Sequence, residues 1–119
     1  MTPDLDDYDG VVAAVQAYID GWNEHDPKKF KRAFHEDAWI FFIDEAGALH
    51  NGLLDDQTFE DWAKHESPNV ELRVLSVHQM GDAASVALAW GREYFDFHSL
   101  LRIDGEWKIT NKTASHKSR

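Results

Sequence analysis

The second half of the chain constrains the fold most, because it has the pattern of four consecutive strands. From Val70 onward, apolar and polar side chains alternate with the period of two that is typical of a half-buried sheet. Two tight-turn signals, Gly81-Asp82 and Asp104-Gly105, join long strands through short loops. A sheet of this length must bury one face, so the first half of the chain has to supply the covering layer.

The first half begins with a helical period. Apolar residues recur at steps of three and four between Tyr8 and Trp22, which predicts a long amphipathic helix. A second, shorter helix is predicted to start at Asp26-Pro27, with aspartate as the N-cap and proline at the first position. Its predicted inner face consists of Phe30, Ala33 and Phe34.

After the second helix, the sequence has the pattern of two strands followed by a third helix. Residues 39–43 predict a buried strand, and residues 48–50 predict a short return strand. A third helix is predicted to begin after Asp55 or Asp56 and to end before Ser67-Pro68. This order predicts an α+β fold in which a curved, mainly antiparallel sheet of six strands wraps around three helices and leaves a cone-shaped cavity. We expect a single domain over residues 1–119.

Composition excludes several classes of partner and chemistry. The chain has 12 Lys and Arg against 22 Asp and Glu, and a net charge of −10, which disfavours nucleic acid and anionic membranes as partners. It has no cysteine, which excludes disulfides, thiolate catalysis and Cys-ligated zinc. An acidic start without a signal-peptide pattern, and no apolar run of membrane-spanning length, lead us to expect a cytoplasmic protein.

Two segments resemble the nuclear transport factor 2-like (NTF2-like) superfamily. Residues 15–38 contain a helix that ends in a polar break before aspartate, and a second helix that ends in Phe-x-x-Asp-Ala. Residues 100–113 are similar to the last hairpin of its SnoaL-like, or putative lumazine-binding, branch. The resemblance implies a cone-shaped, cystatin-like fold and a homodimer formed through the sheet face. It implies no single activity, because the fold hosts isomerases, dehydratases, cyclases, binding domains and association domains.

The resemblance also allows a check for ketosteroid isomerisation. Tyr18 matches the tyrosine of the oxyanion hole on the first helix. Phe42 occupies the place of the general-base aspartate, and Ser99 lies within one residue of the place of the second oxyanion-hole group. Because phenylalanine cannot accept a proton, we expect no isomerisation of this kind.

The seven histidines contain no metal-binding motif, and we expect neither a metal nor a cofactor. His98 could act as a general base near neutral pH, since it lies in the middle of a strand that lines the predicted cone. A two-residue hairpin loop would pair it with Asn111 on one face, and a three-residue loop would pair it with Thr110 and could turn it outward. A structural or outward-facing histidine is the simpler interpretation.

Four tryptophans favour a ligand pocket, because they come from separate elements that the fold would bring to one cavity. The predicted pocket residues are Tyr18, Trp22, Trp39, Trp62, Trp90, His98 and Asn111. The candidate catalytic residues are Tyr18, Asp37 and His98. Arg92, Glu93 and Asp96 are close in sequence and are interpreted as an exposed rim of ion pairs.

The sequence therefore favours a protein that binds a small apolar or aromatic ligand in an aromatic cone. One alternative is an enzyme without a cofactor, which applies acid–base catalysis to a small cyclic or polyketide-like compound. Tyr18 would then be the hydrogen-bond donor, and His98 or Asp37 the base. A second alternative is a homodimeric interaction module whose cone is filled by its own side chains. A polar cavity with Tyr18 and another ionisable group would favour the enzyme.

Overall fold

The computed structural model describes residues 7–65, 71–91 and 93–118. The helices are α1 (Tyr8–Glu24), α2 (Pro27–Ala33) and α3 (Asp56–Ala63). The strands are β1 (Phe34–Ile43), β2 (Leu49–Leu53), β3 (Leu72–Met80), β4 (Ala83–Trp90), β5 (Tyr94–Ile103) and β6 (Glu106–His116). They form one sheet in the order β2-β1-β6-β5-β4-β3, in which the β1–β6 pair is parallel and the other pairs are antiparallel. The predicted α+β fold with a curved six-stranded sheet and three helices is confirmed.

Each helix starts at an aspartate whose side chain accepts a hydrogen bond from the first turn. Asp7 caps α1, Asp26 caps α2 and Asp55 caps α3. Near the end of α1, a Cβ on Gly21 would lie 2.7 Å from the ring of Phe30 on α2. The glycine therefore permits the close approach of these two helices.

The first strand begins earlier than its apolar run suggests. Phe34, which was predicted to belong to the inner face of α2, has extended backbone angles and starts β1 opposite Ile109 of β6. An irregularity in the β1–β6 pairing separates it from Trp39. Phe34 is nevertheless buried, as its apolar character requires. The predicted end of the third helix at Ser67-Pro68, and the predicted strand start at Val70, lie outside the described residues.

The core lies between α1 and the inner face of the sheet, and the outer face remains apolar. Inner-face residues such as Leu88 and Leu100 are fully buried against the helices. Their strand neighbours point the opposite way, and Phe95 and Phe97 are exposed there. An exposed apolar sheet face is typical of a surface that another protein covers, so the homodimer stays a prediction. No helix among the described residues is long and apolar enough to span a bilayer.

Candidate functional site

A pocket of about 210 Å³ lies between the ends of the helices and the inner face of the sheet. Its wall is mainly aromatic and is formed by Trp22, Phe42, Trp62, Trp90 and Tyr94. Two charged side chains, Asp96 of β5 and Lys112 of β6, also line it. The pocket therefore combines apolar walls with a small polar region, which is the usual composition of a small-molecule site.

The aromatic wall is held by ring contacts between separate elements. Trp22 of α1 stacks on Trp62 of α3 with ring centroids 5.2 Å apart, and meets Trp90 of β4 edge to face at 5.3 Å. Trp90 in turn contacts Tyr94 of β5 edge to face. Such pairs contribute beyond their buried area, so the wall is preorganised rather than assembled by a ligand.

The polar region is centred on the carboxylate of Asp96. Asp96 is 1% exposed, and its Oδ2 accepts a hydrogen bond of 2.9 Å from the Tyr18 hydroxyl. Lys112 Nζ and His98 Nε2 each lie 3.7 Å from the same oxygen. One carboxylate oxygen is thus surrounded by a phenol, an imidazole and a cationic side chain, all four groups being buried.

The surroundings set the protonation states of these groups. Burial alone would raise the pKa of Asp96, but the charge of Lys112 and the neighbouring His98 and Tyr18 outweigh it and leave this pKa below its ordinary value. Burial lowers the pKa of His98, and burial together with the charge of Asp96 raises the pKa of Tyr18 well above its usual range. At neutral pH the cluster holds a carboxylate, a neutral imidazole and a phenol.

Three buried polar atoms of the pocket-lining residues have no hydrogen-bond partner among the residues that the structure describes. They are Oδ1 of Asp96 and the indole Nε1 atoms of Trp22 and Trp90. A buried polar group that stays unpaired costs about 1–3 kcal/mol, so native proteins retain few of them without a reason. A ligand that donates a hydrogen bond to Asp96 and accepts one from each indole would satisfy all three atoms.

The register of the β5–β6 hairpin differs from both registers considered from the sequence. The turn has two residues, Asp104 and Gly105, both with positive φ. A bulge farther along, between Ser99 and Leu100, then leaves Thr110 unpaired. His98 consequently lies opposite Lys112, instead of Asn111 or Thr110.

Several predicted site residues converge at the pocket. Three of the predicted tryptophans line it, namely Trp22, Trp62 and Trp90. Tyr18 and His98 lie behind its wall, next to the carboxylate of Asp96, which does line the pocket. The position given to the isomerase base, Phe42, lines the pocket as well, and Ser99 is exposed.

Other predicted site residues lie elsewhere. Trp39 is 39% exposed, and its carbonyl oxygen accepts a hydrogen bond of 3.1 Å from the Asn111 side chain. Asp37 is an exposed residue of β1, and its backbone N–H donates to His35. None of these three lines the pocket. Successive side chains of a strand face opposite sides, and Ile40 and Phe42 take the inner positions of β1. Asp37 and Trp39 of the same strand therefore face outward.

The interpretation of Asp96 as part of an exposed rim is wrong. Glu93 is exposed, and Arg92 lies outside the described residues, but Asp96 is buried because β5 points Asp96, His98 and Leu100 inward. The period of two places Asp96 on the same face as His98, so an inward His98 predicts an inward Asp96. Lys112 was not predicted at all, because its inward direction depends on the bulge at Thr110.

Within the described part of the chain, one group of side chains has the spacing of metal ligands. His35, Glu36 and Asp37 each offer a ligand atom, and these atoms lie within 4.8 Å of one another. The two carboxylates are exposed and the group does not line the aromatic pocket. Exposed acidic clusters of this kind are common without a metal, so the group adds nothing to the pocket's chemistry.

Comparisons with known proteins agree on the fold. An NTF2-like protein of unknown function from Methylobacillus flagellatus KT superposes with a TM-score of 0.80, at 24% identity, covering 94% of this chain and 93% of that one. Another, from Shewanella baltica OS155, gives a TM-score of 0.78 at 25% identity, covering 92% of each chain. Among curated proteins, "Aldolase FrzH" from Cladobotryum sp. is 26% identical, over 89% of this chain and 88% of that protein.

The family comparison spans most of the sequence. The model of the family described as "Putative lumazine-binding" matches residues 6–115, which include all three helices and all six strands except His116, the last residue of β6. This chain therefore belongs to the "Putative lumazine-binding" family of the NTF2-like superfamily.

Proposed function

We propose that this protein is an enzyme that removes a proton from the carbon next to the carbonyl group of a small cyclic compound, with Asp96 as the base. The observation that supports this most is the buried carboxylate in an aromatic pocket, with one oxygen unpaired and a cationic side chain beside it. The sequence favoured a binding protein, and it also gave the criterion that a second ionisable group beside Tyr18 would favour an enzyme. Asp96 is such a group.

The pocket volume limits the size of the substrate. A cavity of about 210 Å³ is smaller than the roughly 300–1,000 Å³ typical of sites for drug-sized ligands. It is larger than the cavity of about 150 Å³ that takes up benzene in an engineered protein. A single ring with a few substituents fits this range, and the aromatic walls favour a flat, apolar ring.

The arrangement of the polar atoms suits proton transfer next to a carbonyl. Asp96 uses Oδ2 for the Tyr18 hydroxyl, which leaves Oδ1 to accept a proton from the substrate carbon. When that proton leaves, negative charge collects on the carbonyl oxygen. The positive charge of Lys112 and the unpaired indole N–H of Trp90 would stabilise it. The lowered pKa of Asp96 keeps the base ionised at neutral pH.

The name of a relative supports the same class of chemistry. "Aldolase FrzH" is similar over nearly the whole of this chain. An aldol reaction begins when a proton is removed from the carbon next to a carbonyl, which is the step assigned to Asp96. At 26% identity the name suggests a reaction type and leaves the substrate open.

Binding without turnover is the second candidate function, and the preorganised aromatic wall favours it. In that case Asp96 and Lys112 would only orient the ligand. The open pocket argues against the third possibility, an interaction module with a filled cone.

Deuterium exchange tests the proposal directly. The protein is incubated in D₂O with single-ring ketones and aldehydes, and NMR follows the loss of the protons next to each carbonyl. Asp96→Asn should slow the catalysed exchange by about 100-fold or more, since this is the usual contribution of a positioned base. Glu60→Gln is the matched control, because it removes an exposed carboxylate from α3.

Tryptophan fluorescence separates the two candidates. Lumazine and the same ring compounds are titrated, and binding should change the emission of Trp22, Trp62 or Trp90, which line the pocket. If compounds bind and none exchanges faster than in buffer, the protein binds without turnover. Exchange at an equal rate in Asp96→Asn would show that Asp96 is not the base.

A further inference from the structure

We infer that Lys112 is a nucleophile that forms an imine with the carbonyl carbon of the substrate. This inference rests on the proposed function, which by itself requires only a positive charge near the carbonyl. Lys112 lines the pocket, and its side chain is 10% exposed. Its Nζ makes no hydrogen bond to any residue that the structure describes, although an ammonium has three N–H donors.

The other partly buried lysines of the C-terminal region are held differently. Lys108 of β6 donates a hydrogen bond of 2.7 Å to the Arg32 carbonyl oxygen, and Lys117 donates one of 2.9 Å to the Gly91 carbonyl oxygen. The 3.7 Å between Lys112 Nζ and Asp96 Oδ2 is too long for a hydrogen bond. The amine of Lys112 is therefore near its counter-ion without being fixed by it, and it can reach a carbonyl carbon in the pocket.

The surroundings of Lys112 fit the charge of the product. Nζ lies 3.7 Å from the Asp96 carboxylate and 5.3 Å from the centroid of the Trp62 ring. A carboxylate and an indole face both stabilise a cation. The iminium ion carries the same single positive charge as the ammonium that it replaces. Its formation therefore places no unpaired charge in the buried site.

Asp96 carries the protons between the reacting groups during imine formation. The Lys112 ammonium gives a proton to Asp96, and the free amine attacks the carbonyl carbon, which forms a C–N bond. Asp96 passes its proton to the former carbonyl oxygen and takes one from the nitrogen. It then protonates the hydroxyl group, which leaves as water while the nitrogen lone pair forms the C=N bond. The products are the iminium ion, one water molecule and the Asp96 carboxylate.

The iminium ion makes the subsequent proton transfer easier. When Asp96 removes the proton from the neighbouring carbon, the electron pair of that C–H bond moves toward the positively charged nitrogen and gives a neutral enamine. Without the imine, the same pair would place a full negative charge on oxygen in a buried pocket. Addition of water to the C=N bond reverses the sequence and frees Lys112.

Borohydride trapping tests the imine. The probe is a single-ring ketone or aldehyde that shows Asp96-dependent deuterium exchange, and cyclohexanone and phenylacetaldehyde, which both carry protons next to the carbonyl, are the first to be screened. Sodium borohydride reduces an imine to a stable amine, so intact-mass measurement should show one adduct with the mass of the probe less one oxygen atom. Peptide mapping should place it on Lys112.

Lys112→Arg is the main variant, because it keeps the positive charge and removes the nucleophilic amine. It should lose both the adduct and most of the exchange activity. Lys108→Arg, on the same strand, should retain both. Circular dichroism and thermal unfolding establish that each variant is folded. Lys112→Met, which also removes the charge, should behave like Lys112→Arg if the amine is what matters.

The outcomes separate the imine from the wider proposal. Exchange without any trapped adduct, or full exchange by Lys112→Arg, would overturn the imine and leave Asp96 as the base. An adduct spread equally over several lysines would overturn it as well. If no compound shows Asp96-dependent exchange, the proposed function fails, and the imine fails with it.

Discussion

Replacing His98 with asparagine should make the protein's stability fall less steeply in mild acid. His98 is fully buried, with its ring centroid 4.6 Å from that of Tyr18. Burial lowers its pKa and outweighs the attraction of the nearby Asp96, which acts in the opposite direction. The folded protein therefore keeps this imidazole neutral at pH values at which the unfolded chain protonates it.

The sign and size of the effect follow from proton linkage. A histidine in an unfolded chain has a pKa near 6.5. Well above this pH neither state binds the proton, and the full contribution of His98 to stability is present. As the pH falls toward the lowered pKa of the folded state, the unfolded state binds the extra proton. The free energy of unfolding then falls by up to about 1.4 kcal/mol per pH unit because of His98 alone.

Urea unfolding between about pH 7.5 and 5.5 measures this slope, since the window includes the unfolded pKa of histidine. His98→Asn loses ring contacts and should be less stable at every pH, but its slope should be smaller than that of the wild type. His78→Asn, at an exposed position of β3, should keep the wild-type slope. Equal slopes in His98→Asn and the wild type would refute the conclusion that burial keeps His98 neutral.

The remaining predictions concern packing, binding and assembly. Gly21→Ala should destabilise the protein by about 1–3 kcal/mol in urea unfolding, because the new Cβ would lie 2.7 Å from the Phe30 ring. Gly52→Ala, whose Cβ would meet no atom within 4 Å, should not. Trp90→Ala should weaken ligand binding about tenfold or more in fluorescence titrations. Light scattering of the wild-type protein should give a mass of about twice 13.7 kDa. Phe97→Glu, on the exposed sheet face, should give a monomer. A wild-type protein that is monomeric at micromolar concentration would refute the dimer.

Most of the fold could be predicted because its signals are local. The helix starts at Asp26 and Asp55 depend on a side chain and the backbone of its own first turn. The turn at Asp104-Gly105 likewise depends on two residues that tolerate positive φ. Phe34 shows the limit of this reasoning. Its apolar character predicts burial on either a helix or a strand, and the long-range pairing with β6 decides between them.

The site was only partly predictable, because its polar residues depend on register. Trp22, Trp62 and Trp90 were identified because large aromatic residues are usually buried and the fold leads these elements to one place, whereas Trp39 is an exception. Asp96 was missed because a charged residue on a strand is usually exposed. The Lys112 charge beside it offsets the energetic cost of burying this carboxylate, and Lys112 comes from another strand.

The bulge at Thr110 is therefore the feature on which the proposed chemistry depends. A strand that slips by one residue turns all its side chains to the opposite face. Without the extra residue, the continuous alternation of β6 would point Asn111 and Thr113 into the pocket, and would turn Lys112 toward the outer face. Asp96 would then be a buried carboxylate without its cation, and its pKa would lose the largest of the effects that lower it against burial. The charge that most lowers the pKa of the proposed base and the proposed nucleophile thus have the same origin, a single unpaired residue in the last hairpin.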